Sequence, residues 1–143
     1  MLKSKTVTFG AQKYDEGSVL HFPEGMLGFS RFTRYILIEE EGMRPFRWLQ
    51  SLDDRELAFP VIDPHLIMKD YSSSIPAHGM RQLDIQDPSD MLTLVVAMIP
   101  EDPMKSSVNL KAPLLINHKK MISKQIVLAE STFDVRTPVI EEK

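Results

Sequence analysis

The sequence contains no cysteine among its 143 residues. A disulfide framework, a thiolate nucleophile and a thiolate metal site are therefore excluded, and the composition fits a reducing compartment. Long apolar runs are missing as well, because no stretch approaches the ~20 residues of a membrane-spanning helix and the N-terminus lacks an apolar segment of signal-peptide length. We therefore expect a cytoplasmic protein that does not bind membranes.

A concentrated basic patch is also missing from the sequence. Lysine and arginine number 17 against 20 acidic residues, which gives a formal net charge of -3. The densest basic group is the small set Lys111, Lys119, Lys120 and Lys124. Because non-specific nucleic-acid binding needs clustered lysine and arginine, we expect no direct contact with nucleic acid. The mild acidity permits a basic protein partner.

Catalytic and metal-binding motifs are equally scarce. The sequence has no glycine-rich dinucleotide or phosphate loop and no nucleophile elbow. Its four histidines are far apart, and the acidic pairs Asp53-Asp54 and Glu101-Asp102 would point to opposite sides of a strand. We interpret the acidic pairs as turn formers and the histidines as structural or surface residues. The sequence therefore predicts neither an enzyme nor a cofactor or metal site.

Short apolar runs rich in branched residues are what the sequence does contain. The most regular are 92–100 and 108–117, joined by the acidic, proline-bearing linker Glu101-Asp102-Pro103. Further strands are predicted at 6–9, 18–22, 35–38, 46–51, 57–62 and 125–128, with hairpins joining 6–9 to 18–22 and crossing 118–120. This pattern predicts a mainly β protein with a small antiparallel β-barrel-like fold and one or two short helical turns. We expect one domain over 1–143, with a frayed tail from about 138.

Two local features point to binding surfaces. Pro60 lies inside the predicted strand 57–62 and cannot donate to a ladder, which indicates a sheet edge or a bulge where another chain can bind. The loop 23–29 is shaped by one proline and two glycines, and it carries Met26 and Phe29. Among nine methionines, Met26 and Met104 are either adaptable surface contacts or ordinary core fillers.

Several motifs follow one another in a fixed order along nearly the whole chain. They are Phe-Pro-Glu-Gly-Met-Leu-Gly-Phe at 22–29, Trp-Leu-Gln-Ser-Leu-Asp-Asp at 48–54 with Leu-Ala-Phe at 57–59, Ile-Asp-Pro at 62–64, Ile-Pro-Glu-Asp at 99–102, and Asn-Leu-Lys-Ala-Pro-Leu-Leu-Ile-Asn at 109–117. On these motifs the chain resembles the FliW family of bacterial flagellar assembly factors. The resemblance implies a non-enzymatic regulator that binds the translational regulator CsrA and relieves its repression of flagellin translation, with flagellin as competing partner.

The motif residues on predicted loops form our hypothesis for the partner interface, since packing explains their identity less well there. An apolar centre with a negative rim would suit a basic partner. The candidate residues are Met26, Phe29, Pro60, Asp63, Glu101, Asp102, Asn109, Lys111 and Asn117. For Asn109 and Asn117, turn formation is an equally open explanation. Two other functions stay open: a flagellin chaperone without CsrA control, and a small-molecule-binding barrel that uses Trp48 and histidines in an enclosed pocket.

Overall fold

The computed structural model of the protein describes residues 6–9 and 12–139. Strands dominate this part of the chain, which confirms the prediction of a mainly β protein. They are β1 (Thr6–Phe9), β2 (Gln12–Asp15), β3 (Leu20–His21), β4 (Arg34–Ile38), β5 (Arg47–Ser51), β6 (Ala58–Ile62), β7 (Met91–Met98), β8 (Ser107–Val108), β9 (Leu114–Asn117), β10 (Ile122–Gln125) and β11 (Thr137–Pro138). The helix α1 spans Ala77–Gln82, slightly before the helical turn that the sequence suggests around 80–85.

Short 3-10 turns are more numerous than the one or two helical turns that we predicted. They lie at Glu16–Ser18, Pro64–Leu66, Tyr71–Ser74, Pro88–Asp90 and Pro103–Lys105. Asp63, Asp87 and Asp102 each precede a proline and accept a hydrogen bond from the backbone N–H two residues later. Because proline fixes φ and the aspartate caps the first N–H, each Asp-Pro pair starts one tight turn.

The hairpin at the N-terminus differs from the predicted one. Strand β1 pairs with β2 in a separate two-stranded sheet, with Thr6 opposite Asp15 and Phe9 opposite Gln12. The predicted partner of 6–9, the segment 18–22, instead contributes β3, which pairs with β4. A two-residue connection costs less closure entropy than one of eight residues, and this favours the local pairing.

The large sheet closes on itself. Its strand order is β11-β8-β7-β6-β5-β4-β3-β10-β9, and β7 pairs additionally with β9. The ring of paired strands therefore runs through β7, β6, β5, β4, β3, β10 and β9. All its pairs are antiparallel except β10 with β3, which is parallel through Ile122 and His21. The hairpin across 118–120 is present, although its second strand lies three residues before the predicted 125–128.

Pro60 lies in a central strand, which corrects the expectation of a sheet edge. Strand β6 pairs with β5 on one side and with β7 on the other. Ser51 N–H donates to Leu57 O, so Leu57 and every second residue after it direct their N–H and C=O groups toward β5. Pro60 falls between these residues, and its nitrogen therefore faces β7. The ladder with β7 begins only at Val61, so the missing N–H breaks no bond of the ladder.

Two apolar clusters fill the molecule. One lies inside the ring and takes side chains from β3, β4, β5, β6, β7 and β9, among them Leu20, Tyr35, Leu49, Val61, Leu94, Leu114 and Ile116. The other lies outside the ring, under the irregular segment 63–90, and includes Tyr71, Leu83, Ile85, Val95, Leu110 and Leu115. Strands β7 and β9 contribute to both clusters, which explains why their sequences are continuous apolar runs.

The C-terminal segment differs from the expectation of a tail frayed from about 138. Thr137 and Pro138 form β11, which pairs with Val108 and Ser107 of β8. Val139 N–H donates to Ser106 O at 3.0 Å. The remaining residues, 140–143, lie outside the described part of the chain.

Asp53 joins the turn after β5 to the start of β4. Its Oδ2 accepts hydrogen bonds from the N–H groups of Thr33 and Arg34 at 2.8 and 3.1 Å, and its Oδ1 accepts from the Arg34 guanidinium at 2.9 Å. Desolvation raises the pKa of the Asp53 carboxyl, but these donors outweigh it and leave the pKa below its ordinary value of 3.8. The ionised carboxylate therefore stabilises the folded state.

We expect Asp53→Asn to lower the free energy of unfolding near neutral pH by about 1 kcal/mol, because the partly exposed ion pair is lost. The pKa of Asp53 is depressed in the folded state, so its contribution is present above the ordinary value of 3.8 and is lost as pH falls through the folded value. Urea unfolding of the unmodified chain and of Asp53→Asn at a series of acidic pH values measures this pH dependence. The stability difference should shrink below that value, whereas the neighbouring control Asp54→Asn should change stability less at neutral pH. A difference that does not vary with pH would contradict the assignment.

Candidate partner-binding groove

The loop 23–29 is tightly folded and presents one apolar side chain at its tip. A Cβ atom on Gly25, which has φ of 69°, would lie 2.6 Å from Phe29 O, so only glycine fits there. Leu27 N–H donates to Gln125 Oε1 at 2.9 Å and fixes the loop to β10. Leu27 itself is 56% exposed, and Phe29 packs edge-on against Phe59 with the ring centroids 5.4 Å apart.

Met26, which we placed on the interface, is buried with 3% exposure and belongs to the cluster inside the ring. The tight turn folds its side chain inward while Leu27 points outward. Of the two methionines singled out from the sequence, Met26 is therefore a core residue. Met104 is 61% exposed.

Asn109 and Asn117 have structural roles in the described chain. Asn109 Oδ1 accepts hydrogen bonds from the N–H groups of Lys111 and Ala112. Asn117 is buried, donates to Leu83 O at 2.9 Å, and accepts from the N–H groups of Lys119 and Lys120. These bonds account for both residues through turn formation. A contact of Asn109, Lys111 or Asn117 with a partner stays a prediction.

An open groove of about 1010 Å³ lies close in sequence to three candidate acidic residues: Asp63, Glu101 and Asp102 do not line it, but each precedes a lining residue, Leu66 or Met104, by two or three positions. Asp63 caps the turn Pro64–Leu66, which places Leu66 on one wall with 65% exposure. Asp102 caps the turn Pro103–Lys105, which places Met104 on another. The complete lining is Leu66, Ile67, Met68, Met104, Lys105, Ser106, Ser107, Leu110, Thr137, Pro138 and Val139.

The inner end of the groove is anchored to the outer cluster. Leu110 lines the groove, and its carbonyl accepts a hydrogen bond of 2.5 Å from the Tyr71 hydroxyl. Burial raises the pKa of Tyr71 above its ordinary value, so the hydroxyl remains a donor at all physiological pH values. Phe133 lies against the Tyr71 ring at 5.3 Å. The groove is therefore built on a fixed base.

Both acidic and basic residues occur near the groove. Glu101 and Asp102 are exposed at the edge next to Met104, and Lys105 lies among the lining residues. Asp63 Oδ1 accepts its backbone cap from His65 N–H and lies 2.7 Å from His65 Nδ1. The groove therefore has a largely apolar lining with one charged residue, Lys105, and the turn that carries Met104 begins at the carboxylates Glu101 and Asp102.

Sequence reasoning singled out Met104 as a possible surface contact and proposed Asp63, Glu101 and Asp102 for the interface, but it proposed none of the other residues that line the groove. Leu66, Leu110 and Pro138 come from three segments that are far apart along the chain, and no periodicity links them. The available signal was the repeated Asp-Pro pair, which predicts tight turns but not their meeting at one surface. Phe29, in the loop 23–29, and Pro60, in β6, do not line the groove.

The ring interior leaves little room for a small molecule. Tyr35, Leu49, Leu94 and Leu114 fill it and are fully buried, and burial together with the charge of Asp53 raises the pKa of Tyr35 to about 12. Trp48 does not line the groove, and its Nε1 donates to Glu40 Oε2 at 2.9 Å. The filled interior therefore does not support the small-molecule alternative.

No group of three or more histidine, aspartate or glutamate side chains in the described part of the chain is arranged to hold a metal ion. Over 6–9 and 12–139, none of the helices has the length and apolarity needed to cross a bilayer.

Comparison with known proteins gives consistent matches over nearly the full length. Residues 3–139 match the model of the FliW protein family. The flagellar assembly factor FliW of Leptospira interrogans serovar Lai is 38% identical over 141 residues, which cover 98% of this chain and 94% of that protein. The protein of the same name from Ruminiclostridium cellulolyticum is 35% identical, with 96% and 94% covered. A crystal structure of the flagellar assembly factor FliW has a TM-score of 0.84 at 24% identity, covers 97% of this chain and 99% of that one, and shows the same fold.

We expect Asn117→Ala to lower the free energy of unfolding by about 2–3 kcal/mol, because a buried carbonyl and two N–H groups lose their partner together. Asn109→Ala is the matched control, since Asn109 caps a similar turn but is only partly buried. Its loss should be about 1 kcal/mol. Urea unfolding with unchanged m-values measures both. Equal losses at the two positions would show that the bonds from Asn117 to the 83–84 segment contribute nothing.

Proposed function

We propose a function from the premise that this chain belongs to the FliW family of flagellar assembly factors, as the family match and the relatives show. In this proposal the protein acts without catalysis, in the cytoplasm. It binds the translational regulator CsrA, relieves the repression of flagellin translation, and binds flagellin in competition. The partners come from the family resemblance.

The groove beside Glu101 and Asp102 is the observation that carries the proposal. Leu66 and Met104 expose large apolar surfaces on two walls, and such surfaces on a small protein mark interaction sites. The two carboxylates next to Met104 supply negative charge at the edge. A basic RNA-binding protein offers the complementary charge, which steers encounter and fixes orientation, while the apolar walls supply affinity.

Competition follows from occupancy of one surface. When flagellin fills the groove, its walls are covered and CsrA finds no site. When flagellin leaves by secretion, the groove is free, CsrA is captured, and flagellin messenger RNA is released for translation. The switch needs no covalent step and no conformational change in the ring, because the two occupants exclude each other by contact.

Titration calorimetry with CsrA from the same organism, with and without flagellin, tests the proposal directly. Submicromolar binding that flagellin abolishes would support it. Binding of flagellin alone would instead support a chaperone without CsrA control. Absence of binding to either partner would overturn the proposal.

A double variant tests the acidic edge. Glu101→Lys with Asp102→Asn removes the negative charge while the asparagine retains the cap on Met104 N–H. We expect roughly tenfold weaker CsrA binding and a weaker dependence of affinity on salt, because a favourable charge contact at the rim is lost.

The control is Asp15→Asn with Glu16→Lys, which makes the same charge change. Asp15 likewise caps a 3-10 turn, Glu16–Ser18, and neither residue lines the groove. This variant should bind CsrA as the unmodified chain does. If both variants lose affinity equally, net charge rather than the groove edge determines binding.

A further inference from the structure

Thioethers are the chain's only sulfur groups, since it has nine methionines and no cysteine. Their exposure in the described residues differs strongly. Met104 is 61% exposed and Met98 is 53% exposed, whereas Met26 is 3% exposed. Access of an oxidant to the sulfur governs how quickly a methionine is oxidised, so these positions should react at very different rates.

Met104 combines exposure with a fixed backbone. Its N–H donates to Asp102 Oδ1 at 3.1 Å, Lys105 N–H donates to Asp102 O at 3.0 Å, and Ser106 N–H donates to Pro103 O at 3.1 Å. The turn thus holds the side chain at the groove wall. Oxidation of Met104 therefore requires no opening of the fold. It changes the polarity of the groove surface directly.

We propose that Met104 is a reversible oxidation site that regulates the groove; the effect on partner binding rests on the function proposed above. The oxidant is a peroxide. A lone pair of the thioether sulfur attacks one peroxide oxygen, the O–O bond breaks, and one oxygen atom forms the sulfoxide. With hydrogen peroxide the other oxygen leaves as water, so the sulfur is oxidised by two electrons and the peroxide is reduced by two.

The sulfoxide changes what the groove can accept. An apolar wall becomes polar and gains a strong hydrogen-bond acceptor, which a partner must desolvate when it binds. Leu66 on another wall cannot be oxidised in this way, and Met68 in the lining is much less exposed than Met104. Met104 is therefore the groove residue at which a peroxide acts first. Methionine sulfoxide reductases restore the thioether.

The first experiment maps the site without any partner. The purified protein is treated with limiting hydrogen peroxide, digested and analysed by mass spectrometry over time. We expect Met104 and Met98 to gain oxygen first, Met68 later and Met26 last. Oxidation of Met26 or Met68 before Met104 would overturn the assignment.

The second experiment measures the consequence for binding, using variants that keep side-chain volume. Met104→Leu resists oxidation at the groove, and Met98→Leu is the control because Met98 is almost as exposed but does not line the groove. After peroxide treatment, the unmodified chain and Met98→Leu should bind CsrA on the order of tenfold more weakly, and Met104→Leu should keep its affinity. Incubation with both sulfoxide reductase types and a thiol reductant should restore binding.

The outcomes separate the two proposals. Equal loss of binding in Met104→Leu would place the sensitive residue elsewhere and overturn the regulation. No loss in the unmodified chain, with Met104 shown to be oxidised, would also overturn it. If the untreated protein binds neither CsrA nor flagellin, the proposed function fails and the consequence for binding fails with it, while the peptide map still decides whether Met104 is the oxidation site.

Discussion

The pairing of β7 with β9 is the constraint on which the rest of the structure depends. Four residue pairs, from Met91 opposite Asn117 to Leu94 opposite Leu114, close the ring that the other strands begin. Without this pairing, β7 and β9 would each have an unpaired edge. Their apolar side chains would also lose part of the packing that the two clusters provide. Burial on both faces makes this pairing favourable, since each strand gives alternate residues to the inner and the outer cluster.

The groove forms where β7 extends past the closed ring. Beyond the closure with β9, the same β7 continues and pairs with β8 through Ala97 and Met98. The Asp-Pro turn at 102–105 lies between these two strands, and β11 adds to the free side of β8. The walls are therefore short turns and two-residue strands attached to the closed ring. Such an arrangement places apolar side chains that are not part of the core at an accessible surface.

The proposed function relies on the surface outside the ring. The inner cluster is filled by side chains, among them the fully buried Tyr35 and Leu94. Around the groove, apolar exposure at Leu66 and Met104 supplies surface that gains free energy when it is covered, and the carboxylates beside it favour a partner of opposite charge. In our proposals the thioether of Met104 serves both as an adaptable contact and as the group that a peroxide oxidises.

The sequence alone predicted the β class, most strands, the hairpin after β9 and the resemblance to flagellar assembly factors. These properties are local, because branched apolar runs, Asp-Pro turns and motif spacing can all be read within a few residues. It also placed Glu101 and Asp102 on a candidate interface, since they are motif residues on a predicted loop.

The tertiary structure decided what depends on distant segments. It made Pro60 part of a central strand, because the neighbouring ladder starts one residue later. It turned Met26 inward, and it gave the amide of Asn117 a partner in the segment 83–84. It also joined the turns at 64–68 and 103–107 with the strand at 137–138 into one groove. Hydrophobic burial is not directional, so a sequence determines which residues leave water, whereas ring closure determines which of them meet.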